Sequence, residues 1–473
     1  MELSIGNKIR VREPSDTLMN YCYKNLRFRN PEFVKKKRMG FYTGNTPEYL
    51  YLYEKNGDTL ILPYGCLKVL EDMFIDPYCD RVESEFLAPK KVDFHCEVPL
   101  YDYQAEAVDG MEKVYCGILQ SAAGSGKTQM GIALAARLGR KTLWLTHTKD
   151  LLSQSKQRAE QYMDPSLTGT ITDGKVNIGR GITFATVQTM SCLDLQSLRN
   201  EWDVIIVDEC HHVAGTPTAV TQFSRVLNNL AARHKYGLSA TVHRADGLIG
   251  ATYALIGPVA HTVPDTAVSD RIMKVSVLPR ETGVIISKNC LDTDGTIIYS
   301  KLMTYLSGHW QRNQMIVNDI VTQALDDHSH LILSDRLDHL EELMHLLPPH
   351  LRAKSAMVSG KMTSKKARGE REQIMQRMRS GDLRFLFATY ALAKEGLDIP
   401  RLDRLYLTTP QKDYAVITQS IGRIARTCEG KGEPVCFDYV DNIKSLVKAY
   451  KRRCTSYRKA GCRFIELGRL LGG

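Results

Sequence analysis

The chain has 473 residues, too many for one ordinary domain, and its 43% hydrophobic and 25% charged composition supplies material for sizeable cores. No apolar run approaches the roughly 18 residues of a membrane span, and the first residues lack the apolar core of a signal peptide, so no membrane partner and a cytoplasmic location are expected. Lysine plus arginine outnumber aspartate plus glutamate by 63 to 53, an excess that favours a polyanionic partner or simply aids solubility.

The 12 cysteines form no C-x-x-C pair and are expected to be reduced and mostly buried, Cys192 and Cys210 among them. The late set Cys428, Cys436, Cys454 and Cys462 is too widely spaced for a standard zinc site.

Residues 1–97 interleave aromatic and basic side chains. Arg27, Arg29, Lys35, Lys36, Lys37 and Arg38 lie among Phe28, Phe33, Phe41 and Tyr42. Residues 49–53 and 59–62 flank Lys55-Asn56-Gly57-Asp58, which predicts a hairpin between them. A small α+β accessory domain is expected here. It is either a DNA-binding surface, with cations on phosphates and rings on bases, or a solvated charged face over an aromatic mini-core.

From residue 98 strands and helices alternate, the pattern of parallel α/β architecture. Strands are predicted at 118–120, 142–146, 182–185, 204–207 and 235–238, and a helix at 129–138. A second series follows, with helices at 313–324, 337–347 and 365–378 and strands at 331–334, 355–358, 385–388, 404–408 and 434–438. The expectation is an α/β chain of two tandem parallel-sheet lobes, 98–262 and 263–473, behind the accessory domain. The closing segment from Ile443 is rich in lysine and arginine and predicts a basic helix, solvated or touching phosphates.

Ser121-Ala122-Ala123-Gly124-Ser125-Gly126-Lys127-Thr128 sits between a predicted strand and a predicted helix, the setting of a phosphate-binding P-loop. Backbone N–H groups around Gly124, Ser125 and Gly126 can surround a phosphate, Lys127 can reach the β/γ oxygens and Thr128 can ligate Mg²⁺. The first glycine of the usual pattern is Ser121.

Asp208-Glu209-Cys210-His211-His212 follows a buried strand, where α/β sheets put their ligands. Asp208 suits Mg²⁺ holding, and Glu209 suits orienting and deprotonating water. Gln104 can read an adenine edge or can simply start a helix. Leu238-Ser239-Ala240-Thr241 ends another strand, and its hydroxyls can relay between the carboxylates and the neighbouring lobe. Gln419-Ser420-Ile421-Gly422-Arg423-Ile424-Ala425-Arg426 is expected to be helical and sets two arginines three apart, on one helical face. Such a face suits arginine fingers, or is a plain basic surface.

Taken in order, the P-loop, residues 142–155, Ala185-Thr186-Val187-Gln188, the DECHH and LSAT stretches, residues 389–400 and the QxxGRxxR stretch resemble helicase superfamily 2. The continuation Arg244-Ala245-Asp246-Gly247 resembles its branch of XPB-like, RadD-like and type I/III restriction motors. Residues 30–65 resemble, more weakly, the small domain of phage branch-migration helicases.

The resemblance implies two tandem RecA-like parallel-sheet lobes with ATP hydrolysis and Mg²⁺ between them, coupled to stepping along DNA, duplex, forked or branched, by a monomer. RNA and a restriction or defence nuclease complex are the rival settings. Lys127, Thr128, Asp208, Glu209, Gln419, Arg423 and Arg426 would carry hydrolysis, with Gly396 and Asp398 at the nucleotide. Thr148, Thr186, Arg244, Ser359, Gly360 and Thr389 would contact the nucleic-acid backbone. Ser420, where relatives often carry arginine, leaves Arg423 and Arg426 as the finger candidates.

Overall fold

The computed structural model describes the whole chain except residues 77–78, 123, 215, 241–247, 265–266, 268–272, 325–326, 361, 363–364, 396, 398 and 467–473. It divides into two compact units, Met1–Val268 and Ser269–Gly473.

The first unit opens with a five-stranded sheet in the order Glu54–Asn56, Thr59–Pro63, Lys8–Arg12, Glu2–Ile5, Arg81–Ser84. Period-2 alternation builds it: Ile9 and Val11 are buried while Lys8, Arg10 and Arg12 point away from the core. The hairpin turn lies where the sequence predicts, at Gly57-Asp58, but its first strand is Glu54–Asn56. Tyr49–Tyr51 pairs instead with Arg27–Arg29, antiparallel, as a separate two-stranded ribbon. Leu52 decides this, because it is buried and its N–H bonds to Leu26 O, turning the chain off the ribbon before the hairpin begins.

This accessory segment does not close its own core. Leu3, Ile9, Leu18, Leu60, Leu62 and Tyr64 pack in one cluster with Cys116, Val220, Leu248, Ala251 and Ala254 from beyond residue 98. Gly65 is pressed so tightly that a Cβ there would stand 2.6 Å from Ala254 O and from the N atoms of Ile256 and Gly257. The Tyr64 hydroxyl donates to Arg233 O at 2.7 Å. Lys235, wholly buried, donates to Asn7 O at 3.3 Å and to Leu227 O at 2.6 Å.

The α/β part carries an eight-stranded sheet among the described residues, ordered Lys175–Asn177, Thr168–Thr172, Ile182–Thr186, Thr142–Thr146, Val204–Asp208, His234–Ser239, Cys116–Gln120, Val259–Thr262. Every pairing is parallel except the first. Its central strands are buried from end to end, which is why they read as unbroken apolar runs such as Val204-Ile205-Ile206-Val207. The edge hairpin escapes the sequence reading. It turns at Asp173-Gly174, both at positive φ, and Asp-Gly is the signal that marks it.

The second unit holds a seven-stranded, all-parallel sheet among the described residues: Ser355–Val358, Phe385–Thr389, His330–Ser334, Arg404–Leu407, Val435–Val440, Ser276–Glu281, Arg463–Phe464. Buried ion pairs lock its helices to it. Arg312 holds Asp441 at 2.8 Å with both side chains fully enclosed, and Arg453 holds Asp438 at 2.8 Å. Arg453 belongs to the basic Lys444–Lys459 helix, so one of that helix's cations serves the core and is unavailable to phosphate. Cys210 is buried as expected, but Cys192 is exposed because the short helix before it ends at Ser191.

Candidate functional site

In the first unit, three neighbouring strands end in register. Gln120 pairs with Ser239, and Leu238 with Asp208, so the P-loop, the LSAT stretch and the acidic pair leave the same sheet edge side by side. Gly124 and Gly126 take φ of +86° and +84°, the left-handed region that glycine adopts freely, before the Lys127–Leu138 helix starts, and the Ser125 N–H between them donates to Ala122 O at 3.3 Å. Ser121 is buried and its hydroxyl donates to the Ser125 hydroxyl at 2.6 Å. The irregular serine therefore closes the base of the loop with a hydrogen bond that glycine could not make.

Lys127 folds back over this loop. Its Nζ donates to Ser121 O and Ala122 O, both at 3.2 Å, and the side chain is almost fully buried. Gln104 sits at the third position of the Asp102–Glu112 helix, where its Oε1 accepts from Tyr101 N at 3.0 Å and its Nε2 donates to Ser125 O at 2.8 Å. One hydrogen bond at each end of the amide thus goes to the helix cap and to the P-loop. The geometry gives Gln104 the job of holding the loop, and Tyr103 helps by donating to the same Ser125 carbonyl at 3.0 Å.

Asp208 is buried. Its Oδ2 accepts from the Ser155 hydroxyl at 3.0 Å and its Oδ1 from the N–H of Glu209 at 3.0 Å. Burial, then the neighbouring Glu209 carboxylate, push the Asp208 carboxyl up to about 6, against the pull of the Ser155 hydroxyl and the Lys127 ammonium. Glu209 occupies a positive φ of 48°, which a side-chain-bearing residue adopts only when its surroundings hold it there. His211 Nδ1 lies 3.1 Å from the Ser239 hydroxyl and 3.3 Å from Glu209. The Ser239 hydroxyl thus meets the histidine, one step away from the carboxylates, while Thr241 lies outside the described residues.

These donors fit a triphosphate with a hard cation. Backbone N–H groups at the helix start and an ammonium held by carbonyls match phosphate oxygens, and a Thr128 hydroxyl with the Asp208 carboxylate matches Mg²⁺.

On the same edge, Thr148 caps the Lys149–Ala159 helix by accepting from Leu151 N at 3.3 Å. Thr186 is buried and donates to Thr189 at 3.0 Å. The two loops are tied by Gln188 Nε2 donating to His147 O at 2.9 Å. The structure thus brings Thr148 and Thr186 together, with both hydroxyls already engaged.

In the second unit, Ser359, Gly360 and Thr389 line one open pocket of about 570 Å³ with Asp335, Arg336 and Asp338, at the carboxyl ends of three adjacent strands. Gln419 is buried on the Tyr414–Ile424 helix, and its Oε1 has no hydrogen-bond partner among the described residues. Arg423 lies one turn on, its Nε donating to Ala393 O at 3.0 Å. Arg426 does not share that helical face. The helix stops at Ile424, because the carbonyl of Ala425 accepts from Met273 N and draws the chain into an extended bridge. Arg244, Gly396 and Asp398 lie outside the described residues.

Two family models match the chain over the two large sheets: "Type III restriction enzyme, res subunit" over residues 97–244 and "Helicase conserved C-terminal domain" over residues 313–428. The chain belongs to helicase superfamily 2. Its two sheets are the family's tandem RecA-like domains, and the family's members are ATP-hydrolysing enzymes.

Relatives of this superfamily 2 chain include Probable helicase D10 of Escherichia phage T5, 23% identical over 99% of this chain and 96% of D10. DNA 3'-5' translocase XPB2 of Sulfurisphaera tokodaii is 25% identical over 70% of this chain and 79% of its own length. L396 of Acanthamoeba polyphaga mimivirus, named as a candidate ATP-dependent RNA helicase, is 26% identical over 86% of this chain and 75% of its own length. Among solved structures, S. cerevisiae Dbp5 bound to RNA and ADP BeF3 matches with a TM-score of 0.56 at 15% identity, over 86% of this chain and 94% of Dbp5, which speaks to the fold alone.

For this superfamily 2 chain, sequence reading names the loop and the acidic pair but gives no separate role to Tyr103, Ser155 or His211. Ser155 and His211 lie inside stretches with recognisable motifs and Tyr103 next to Gln104, yet their work depends on contacts across 53, 28 and 22 residues of sequence. No local spacing encodes such contacts. No described helix is long and apolar enough to cross a membrane.

Proposed function

We propose that this superfamily 2 enzyme is an ATP-driven DNA helicase or translocase. The observation that carries the reading is Lys127 folded over a left-handed glycine loop, in a sheet whose register sets Asp208 and Glu209 beside it. Backbone N–H groups of Gly124, Ser125 and Gly126 bind phosphate, and Lys127 exchanges its carbonyl partners for phosphate oxygens. Thr128 and Asp208 hold Mg²⁺, which when bound neutralises charge on the phosphates. Glu209 orients a water and takes its proton.

Gln419, Arg423 and Arg426 of the second domain act on the same nucleotide, so that binding and hydrolysis alternately join and release the domains. Gly396 and Asp398 belong to that half. Thr148, Thr186 and Arg244 on one domain and Ser359, Gly360 and Thr389 on the other grip the nucleic-acid backbone in turn. With the Thr148 hydroxyl capping its helix and the Thr186 hydroxyl donating to Thr189, backbone N–H groups beside them are the phosphate partners.

DNA is favoured over RNA by the names of XPB2, a DNA translocase, and of the relatives grouped with it. The RNA reading rests on the name of L396. ATPase rates with duplex DNA, forked DNA and RNA, followed by strand displacement on the best activator, separate the two. Lys127→Ala is expected to abolish hydrolysis and to leave DNA binding within a few-fold; DNA-stimulated hydrolysis surviving in that variant would overturn the assignment.

A further inference from the structure

The outer face of the accessory ribbon stands apart from the motor site. Arg27–Arg29 pairs with Tyr49–Tyr51 so that Arg27 faces Tyr51 and Arg29 faces Tyr49. Strand alternation puts these four side chains on one face and Phe28 and Leu50 on the other. The inner face is anchored: a Cβ at Gly250 would stand 2.7 Å from the Phe28 ring, and Leu52, next along the chain, is in the core.

The outer face is not covered. Tyr23 and Tyr51 are each about half exposed, at 51% and 55%. The Arg27 guanidinium lies 3.8 Å from the Tyr23 ring centroid and 4.5 Å from that of Tyr49. Tyr49, Tyr51 and Tyr53 continue as a row of rings at 6.5 and 5.9 Å. The ribbon thus presents a row of rings around a cation, tilted at 54° between Tyr49 and Tyr51 and edge-to-face at 77° between Tyr51 and Tyr53.

Charge surrounds this row of rings. The Pro31–Arg38 helix starts immediately after the ribbon's first strand, buries none of its residues and ends on Lys35, Lys36, Lys37 and Arg38. Glu32 pairs with Lys36 and Glu48 with Arg29, but among the described residues no carboxylate pairs with Lys24, Lys35, Lys37 or Arg38. Cations of that kind bind phosphate of any strand. Rings on an exposed ribbon have nothing to stack on in a duplex, whose base faces are hidden inside the helix.

We infer that the Tyr23-Arg27-Tyr49-Tyr51 face of the accessory ribbon, flanked by the 31–38 helix, is a binding platform for unpaired nucleic-acid bases. The platform rests on the reading of the chain as a nucleic-acid motor and adds a second contact, held outside the RecA-like domains, for a displaced or single-stranded tail.

The test uses the full chain, fluorescent oligo(dT) and a blunt duplex of equal length, with binding followed by anisotropy. The double variant Tyr23→Ala, Tyr51→Ala should lose about ten- to a hundred-fold in affinity for oligo(dT) and much less for the duplex. Tyr23→Phe, Tyr51→Phe should bind as the parent does, because the rings remain. Lys35→Ala, Arg38→Ala should lower the slope of log affinity against log salt on oligo(dT) by about 1.4.

Unchanged oligo(dT) affinity in the alanine variant, or equal loss on both probes, overturns the platform. A change in oligomeric mass by light scattering without loss of oligo(dT) binding overturns it too, and makes the face a protein interface. ATPase stimulation is read on the same preparations. A parent chain that no nucleic acid stimulates sinks the functional reading itself, whereas stimulation with intact oligo(dT) binding in the alanine variant sinks only the platform.

Discussion

Lys235 offers a measurable consequence of how the accessory segment is fused to the first RecA-like domain. Its ammonium group is enclosed between Asn7 O and Leu227 O, 5.0 Å from the Tyr64 ring centroid. Burial draws its pKa down from the ordinary 10.5 to about 7, with only a small opposing pull from Cys116.

The direction of the effect follows from proton counting. Between pH 7 and 10.5 the unfolded chain holds a proton on this lysine that the folded chain has released, so stability rises with pH across that window. Each pH unit contributes about 1.4 kcal/mol, or roughly 4 to 5 kcal/mol over the whole window at most.

In Lys235→Met this contribution is absent, and two carbonyls lose their donor at about 1 to 3 kcal/mol each. Near pH 7 the two terms offset and the variant should be close to the parent. At pH 9 to 9.5 the parent should be more stable by a few kcal/mol. Urea unfolding of both chains at several pH values measures the difference, in which other titrating groups cancel. Thiol reactivity of Cys66 and Cys116, buried in the same seam, reports its local opening. A difference between parent and variant that stays flat from pH 7 to 9.5 would refute the reasoning.

Gln104→Ala should lower ATP affinity by about ten- to a hundred-fold, the worth of two lost hydrogen bonds at the P-loop. GTP affinity should fall equally when the loss comes from the loop that the amide holds; a loss confined to ATP in nucleotide titrations would show adenine readout. ATPase rate should rise with pH through the Asp208 value of about 6, because the carboxylate form is the one that holds a cation. Ser155→Ala removes a hydrogen bond that favours that carboxylate, so the acid limb of the pH–rate profile should move to higher pH. An unmoved limb would show that another group sets it.

The two large sheets were legible in the sequence because their central strands are buried on both faces. Val204-Ile205-Ile206-Val207 and Leu331-Ile332-Leu333 read as continuous apolar runs between turn signals, and the P-loop glycines mark where one such run must turn. What stayed hidden depends on partners distant in sequence. Tyr49–Tyr51 has the composition of a hairpin arm, and only the burial of Leu52 beside Leu26 sends it to another strand. Arg426 looks helical by spacing until Met273 takes the carbonyl of Ala425. Gln104 could have pointed to a base or to a cap, and its capping of Tyr101 is local enough to have been the safer reading.

The close seating of Gly65 on residues 254–257, with the shared cluster behind it, leaves the accessory segment little freedom to swivel on the domain that carries the P-loop. Whatever displacement that domain undergoes in a catalytic cycle, the tyrosine ribbon must undergo as well. A tail resting on the ribbon would therefore follow any such displacement of that domain.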